Sequence, residues 1–170
     1  MGTAENISEY LYSHKAAATK QYMERSLSDV FRLMFNLDLA LAQSPSPDSD
    51  EDAISVYVLL SHEKTTACVS LRILKSTALL VAERAGVNTM AASSSFLLED
   101  VACELVNIVA NNLRTFLTEN TGAYFSMGEV TVAKADLNAI RPSIVLNLDF
   151  QVTPEALLNL GFTCGEGGKA

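Results

Sequence analysis

The sequence predicts an α+β fold, a mainly antiparallel sheet with two long helices packed on one face. Residues 54–73 read as a β-hairpin, residues 97–119 as one long amphipathic helix, and residues 144–152 as the cleanest strand in the chain. Strands that pair antiparallel with helices between them, rather than in βαβ repeats, put the helices on one side of a sheet. A length of 170 residues suits one domain, and a hydrophobic fraction of 49% fills a core of mostly Leu, Val, Ile, Ala and Met.

The elements follow in order. The first 25 residues read as an extra N-terminal helix, with Tyr10, Leu11, Ala17, Ala18, Tyr22 and Met23 near helical spacing. A second helix is expected to begin near Ser26 or Ser28, either a competent N-cap, with apolar positions at Leu27, Val30, Phe31, Leu33, Met34 and Leu37. Asn36 to Ala42 reads either as a short edge strand or as more helix. Residues 44–52 form an acidic, Pro- and Ser-rich loop, because prolines stop a helix and charges need solvent. In the hairpin, Ile54, Val56, Val58 and Leu60 share one face, and Ala67, Val69, Leu71 and Ile73 return on it, with the turn at His62–Thr65. Ser76 reads as the N-cap of a helix ending at Gly86, and residues 90–95 as a small-residue loop. The long helix ends at Asn120-Thr121-Gly122, followed by strand-like pieces at 123–125 and 129–133. Pro142 precedes the strand of Ile144, Leu146, Leu148, Phe150 and Val152, an apolar edge open to pairing with another chain. Pro154 is expected to open a short helix at 155–160, and the tail 165–170 to be disordered.

Composition narrows the function. A net charge of -8 argues against a nucleic-acid backbone as ligand, which needs a basic face. No apolar run is long enough to span a membrane, and residues 1–9 lack a secretory signal pattern. Cys68, Cys103 and Cys164 have neither metal-ligand spacing nor a disulfide-framework pattern and read as reduced thiols of a cytoplasmic protein. His14 and His62 read as surface residues, and Cys103 as a small core residue pointing to a different side from Glu104. There is no catalytic triad and no glycine-rich phosphate loop. The acidic cluster Asp48, Asp50, Glu51 and Asp52 lacks a calcium-loop pattern.

What remains is the long helix. Its apolar side carries Leu98, Val101, Ala102, Leu105, Val106, Ile108, Val109, Leu113, Phe116 and Leu117. Asp100, Glu104, Asn107, Asn111 and Arg114 line the other side. Glu104 and Asn107 stand one turn apart on one face. A carboxylate grips a lysine, and a carboxamide both donates to and accepts from a water. Taken alone, the stripe is equally the solvated face of a core helix, and an acid three residues before an asparagine is a weak motif.

The run Glu99-Asp100-Val101-Ala102-Cys103-Glu104-Leu105-Val106-Asn107-Ile108-Val109-Ala110-Asn111-Asn112 resembles the signature helix of the CheC/CheX/FliY chemotaxis proteins. In that family an acidic residue precedes an asparagine by three positions and apolar residues follow. The hairpin, the Ser76–Gly86 helix and the strand after Pro142 are similar to the family's other elements, and the resemblance covers roughly residues 26 to 152. One motif rather than two makes the chain look most like CheX, and implies a single CheX-like domain. Asn111 stands where the family often has glycine, and neither the N-terminal helix nor residues 153–164 match its usual ends.

The resemblance implies a phosphatase acting on the phosphoaspartate of a CheY-like response regulator. Asn107 is then expected to orient the attacking water and Glu104 to pair with the regulator's lysine, with Asp100, Asn111 and Arg114 as partner contacts. No cofactor of its own is implied, because the regulator supplies Mg²⁺. A homodimer formed through the sheets is implied as well. A non-catalytic module docking the same partner without turnover, and a plain dimerisation domain, stay open beside this reading.

Overall fold

Strict alternation of apolar residues builds the centre of the sheet. The structure, a computed structural model, describes residues 16–42, 53–63, 65–87, 95–133, 140–153 and 156–167, without the side chains of residues 140–144 and 167. Strands β2 (Ala53–His62) and β3 (Thr65–Leu74) form the expected hairpin, paired from Ala53 with Leu74 to His62 with Thr65. The two-residue turn between them puts Glu63 at a positive φ of 49°. Ile54, Val56, Val58 and Leu60, with Ala67, Val69, Leu71 and Ile73, are buried as the pattern required.

Among the described residues, three helices, α1 (Ala16–Phe35), α2 (Lys75–Arg84) and α3 (Ser95–Thr121), accompany this sheet. Its remaining strands are β1 (Ala40–Leu41), β4 (Ser126–Met127), β5 (Thr131–Val132), β6 (Ile140–Thr153) and β7 (Ala156–Gly167). The order is β1-β6-β7-β3-β2-β4, with β5 also on β2, and every pairing is antiparallel. Register carries the inner face across the strands, Val56 beside Leu71, Leu71 beside Leu160, and Leu160 beside Leu148. Helices α1 and α3 close that face with Met23, Leu27 and Phe31 and with Leu105, Val109, Leu113 and Leu117. Burying each such side chain contributes roughly 1.5–3 kcal/mol. Among the described residues, no helix is long and apolar enough to cross a membrane.

Helix ends obey local chemistry. Asn36, at φ 53°, closes α1, and Leu37 N–H reaches back to the Phe31 carbonyl at 3.2 Å. Gly86 (φ 78°) ends α2, and Gly122 (φ 70°) ends α3 with its N–H on the Thr118 carbonyl at 2.8 Å.

Several expectations are corrected. The break at Ser26 or Ser28 does not occur: α1 runs continuously from Ala16 to Phe35. Ser26 is instead a buried helical residue that accepts a hydrogen bond from Asn112 Nδ2 at 3.0 Å. Ser76 lies inside α2, whose N-cap is Leu74, with no side-chain capping bond. The strand-like piece expected at 123–125 is not a strand, a short β4 lying instead at Ser126–Met127, and the piece at 129–133 shrinks to β5. The stretch after Ala156 is not a helix but β7, and it is ordered through Gly167 instead of fraying from 165. Leu158, Leu160, Phe162 and Cys164 alternate with Asn159, Gly161 and Thr163, a period-two signal that the helix-like Pro154-Glu155 start masked. A Cβ added at Gly161 would collide with the Ser70 hydroxyl and crowd Asn147 Oδ1 at 3.2 Å, so both side chains would have to turn aside. Of the ambiguous stretch 36–42, Ala40 and Leu41 are indeed an edge strand. Residues 1–15, the loops at 44–52 and 90–94, His14 and residues 168–170 lie outside the described residues.

Candidate functional site

Helix α3 presents its polar stripe where the apolar side dictates. Leu98, Ala102, Leu105, Val106, Val109 and Leu113 turn inward, so Asp100, Glu104 and Asn111 are exposed and Asn107 is half-buried at the margin. Among the described residues, neither Glu104 nor Asn107 has a hydrogen-bonding or ion-pair partner, which leaves both free to serve another molecule.

They are not on a bare cylinder. The segment after α3 folds back beside it, and Gly128, Glu129 and Val130 form a second wall opposite Asp100, Cys103, Glu104 and Asn107. The resulting groove is open, with a volume of about 480 Å³. Its wall is held by long-range contacts. Phe125 is fully buried, the Tyr124 carbonyl lies 2.8 Å from His62 Nδ1, Ser126 Oγ donates to the Ser61 carbonyl at 3.1 Å, and Gly128 N–H donates to the Leu59 carbonyl at 2.9 Å. His62 is therefore a half-buried strut under this wall rather than a plain surface residue.

Among the described residues, three carboxylates, Asp100, Glu104 and Glu129, line the groove with one carboxamide and no cationic side chain. That set attracts a cation such as an ammonium and gives a free anion no purchase. Among the described residues, no group of His, Cys, Asp and Glu is arranged to hold a metal ion. Cys103 lies in the groove beside Glu104 and not on another side as expected from its position. Burial, then the charges of Asp100 and Glu99, push its thiol pKa up, which keeps it protonated and a poor nucleophile.

The other stripe residues sit beyond the groove. Asn111 lies one turn past Asn107, and the Arg114 guanidinium stands 6.0 Å above the Tyr124 ring. Asn112 faces inward and fastens α3 to α1, through its bond to Ser26 and by accepting the Tyr22 hydroxyl on its backbone carbonyl at 3.1 Å. Sequence reading found one wall of the site. Glu129 and Val130 escaped it, because only the fold brings them opposite α3 and no local pattern marks them.

The α+β domain thus displays an acid and an amide from one long helix over an open groove. No protein-family model and no curated protein sequence matches the chain. Solved structures do. The chemotaxis protein CheX from Vibrio vulnificus superposes with a TM-score of 0.66 at 18% identity, covering 86% of this chain and 95% of that one. A CheC-like superfamily protein from Shewanella sp. PV-4 gives 0.66 at 16% identity, covering 86% and 96%. CheX in the CheX-CheY-BeF3-Mg complex from Borrelia burgdorferi gives 0.62 at 17% identity, covering 86% and 97%. The chain has the fold of the CheX and CheC-like chemotaxis proteins.

Proposed function

We propose that this protein hydrolyses the aspartyl phosphate of a CheY-like response regulator in the cytoplasm. The observation that carries the reading is the Glu104–Asn107 pair, accessible on one helix face and unpartnered among the described residues. Support for a CheY-like partner comes from the fold shared with a CheX protein captured in complex with CheY.

The chemistry suits so sparse a site. An acyl phosphate is already reactive, and a response regulator carries its own Mg²⁺ and lysine. The reaction needs a water in line with the bond from phosphorus to the aspartyl oxygen. The water oxygen bonds to phosphorus, the phosphorus–aspartyl oxygen bond breaks, and inorganic phosphate and a carboxylate result. Phosphoryl transfer of this kind is mostly positioning and electrostatics. Asn107 holds that water through its carboxamide. It is not a general base, since a carboxamide does not titrate in the useful range. Glu104 receives the partner's lysine ammonium, an ion pair that strengthens as docking expels water. Asp100 adds negative charge beside it.

Phosphate release from phosphorylated regulators of the same genome tests the reading. Asn107→Ala is expected to lower the rate by about a hundredfold, the size of a lost well-aimed contact of about 3 kcal/mol. Full turnover by both Asn107→Ala and Glu104→Ala would sink the assignment. Saturable binding without acceleration would instead favour a docking module. We also propose a homodimer paired along β6, on which β1 pairs with Phe150 and Gln151, Ala42 N–H donates to the Asp149 carbonyl at 2.9 Å, and Val145 is exposed. A monomer by sedimentation would refute it.

A further inference from the structure

Two exposed aromatic rings stand at opposite ends of the polar stripe, and nothing above assigns them a task. Phe96, in the first turn of α3, is 77% exposed, and Tyr124, just past its end, is 68% exposed. Singly exposed apolar residues are ordinary, but a large ring gains most when a partner covers it. Their placement is specific. At about 100° per residue, Phe96, Asp100, Asn107 and Arg114 fall within roughly 40° of one another around the helix. Phe96 therefore shares the face of the water-holding Asn107, about 16 Å from it along the axis, and Arg114 lies about 10 Å beyond it on the other side. Tyr124 packs under Arg114 and belongs to the segment that continues into the groove wall at Gly128.

We infer that Phe96 and Tyr124 are the two apolar anchors by which this protein grips the phosphorylated receiver domain, and that they set affinity and partner choice rather than turnover. This rests on the phosphatase reading above. The occupant is argued from continuity and charge. The rings bracket the groove, and between them the stripe runs from anionic (Asp100, Glu104) through neutral (Asn107, Asn111) to cationic (Arg114). A receiver presents a lysine beside its phosphoryl group and carboxylates around the bound cation. Its lysine then lies over Glu104, and Arg114, about 15 Å further along the axis, faces the receiver beyond its cation site, where a carboxylate on the receiver surface would fix one docking orientation. A few apolar anchors can carry much of an interface's energy, while exposed charges set its register.

The test uses the full chain and each response regulator of the same genome, phosphorylated with acetyl phosphate, with KM, kcat and binding measured for each variant. Phe96→Ala and Tyr124→Ala are each expected to raise KM and Kd about tenfold and leave kcat within about twofold, while Tyr124→Phe keeps wild-type affinity. Asn107→Ala is expected to do the reverse, lowering kcat with little change in Kd. Unchanged KM and Kd in both ring variants would overturn the anchors while an inactive Asn107→Ala upholds the phosphatase. An affinity loss accompanied by a shift in sedimentation from dimer to monomer would also overturn them, since the rings would then face a second copy. No regulator bound or turned over removes the phosphatase reading and the anchors with it, and full turnover by both Asn107→Ala and Glu104→Ala removes the Glu104–Asn107 site and the anchors that bracket it. Both side chains are exposed, so the variants are expected to melt like wild type.

Discussion

Asn107→Asp separates the carboxamide's chemistry from its shape. The two side chains are isosteric, so the groove keeps its form, but the donor NH₂ is lost and a fourth carboxylate joins Asp100, Glu104 and Glu129. Side chains at i and i+3 have Cβ atoms about 5–6 Å apart. Two unit charges at that distance repel by about 0.7 kcal/mol in bulk water and about 3 kcal/mol at an effective dielectric near 20. The groove is open, so a value near 1 kcal/mol applies between the new carboxylate and Glu104, and a comparable penalty meets the incoming phosphoryl group. The repulsion from Glu104 is present in the free protein too, so only the penalty of about 1 kcal/mol at the phosphoryl group adds to the loss expected for Asn107→Ala, which makes Asn107→Asp slower than Asn107→Ala by roughly fivefold at low salt. The assay is single-turnover phosphate release from about 20 mM to about 500 mM KCl. Salt weakens docking for every variant, so the informative quantity is the ratio of Asp to Ala rates. That ratio is expected to climb toward one as the Debye length falls from about 20 Å to about 4 Å. An Asp variant as fast as Ala at low salt, or a ratio that ignores salt, would refute the idea that an uncharged amide is needed there.

Further expectations concern the scaffold. Tyr22 stacks on Phe116 with ring centroids 4.3 Å apart and donates to the Asn112 carbonyl, so Tyr22→Phe is expected to cost about 1 kcal/mol in urea unfolding and Tyr22→Ala about 2–4 kcal/mol. Equal losses for the two would show that the ring contributes nothing. Gly122 has a φ of 70° and open space within 4 Å of where a Cβ would sit, so Gly122→Ala is expected to lose about 1 kcal/mol by thermal melting through backbone strain alone, and Gly122→Asn less. Burial pushes the Cys68 thiol from 9.0 up to about 11 and the Cys164 thiol up to about 12. The unfolded chain then loses these protons first, so stability is full below pH 9.0 and falls as pH rises toward 11 and 12. Melting temperature against pH should show that decline, and Cys68→Ala with Cys164→Ala should flatten it.

The hairpin, the long helix and the core positions were legible because burial on one face imposes a period that each segment displays by itself. Ile54 to Leu60 alternate, and Leu98 to Leu117 recur every three or four residues. The acid–amide pair was visible for the same reason: a helix turns spacing into a shared face. Local signals failed where a distant partner outweighed them. Ser26 and Ser76 have the chemistry of caps, yet one bonds to Asn112 on another helix and the other sits within α2. Residues 156–160 carry good helix formers after a proline, yet β3 and β6 on either side supply hydrogen bonds that a helix there would have left unmade.

The function of the groove divides along the same line. Periodicity along one chain segment was enough to specify Glu104 and Asn107 as neighbours facing away from the core. The opposing wall of Gly128, Glu129 and Val130, the tether of His62 to Tyr124, and the two rings at the ends of the stripe depend on residues tens of positions apart meeting in space. Such meetings follow from how helix and sheet pack together, and no stretch of sequence encodes them locally.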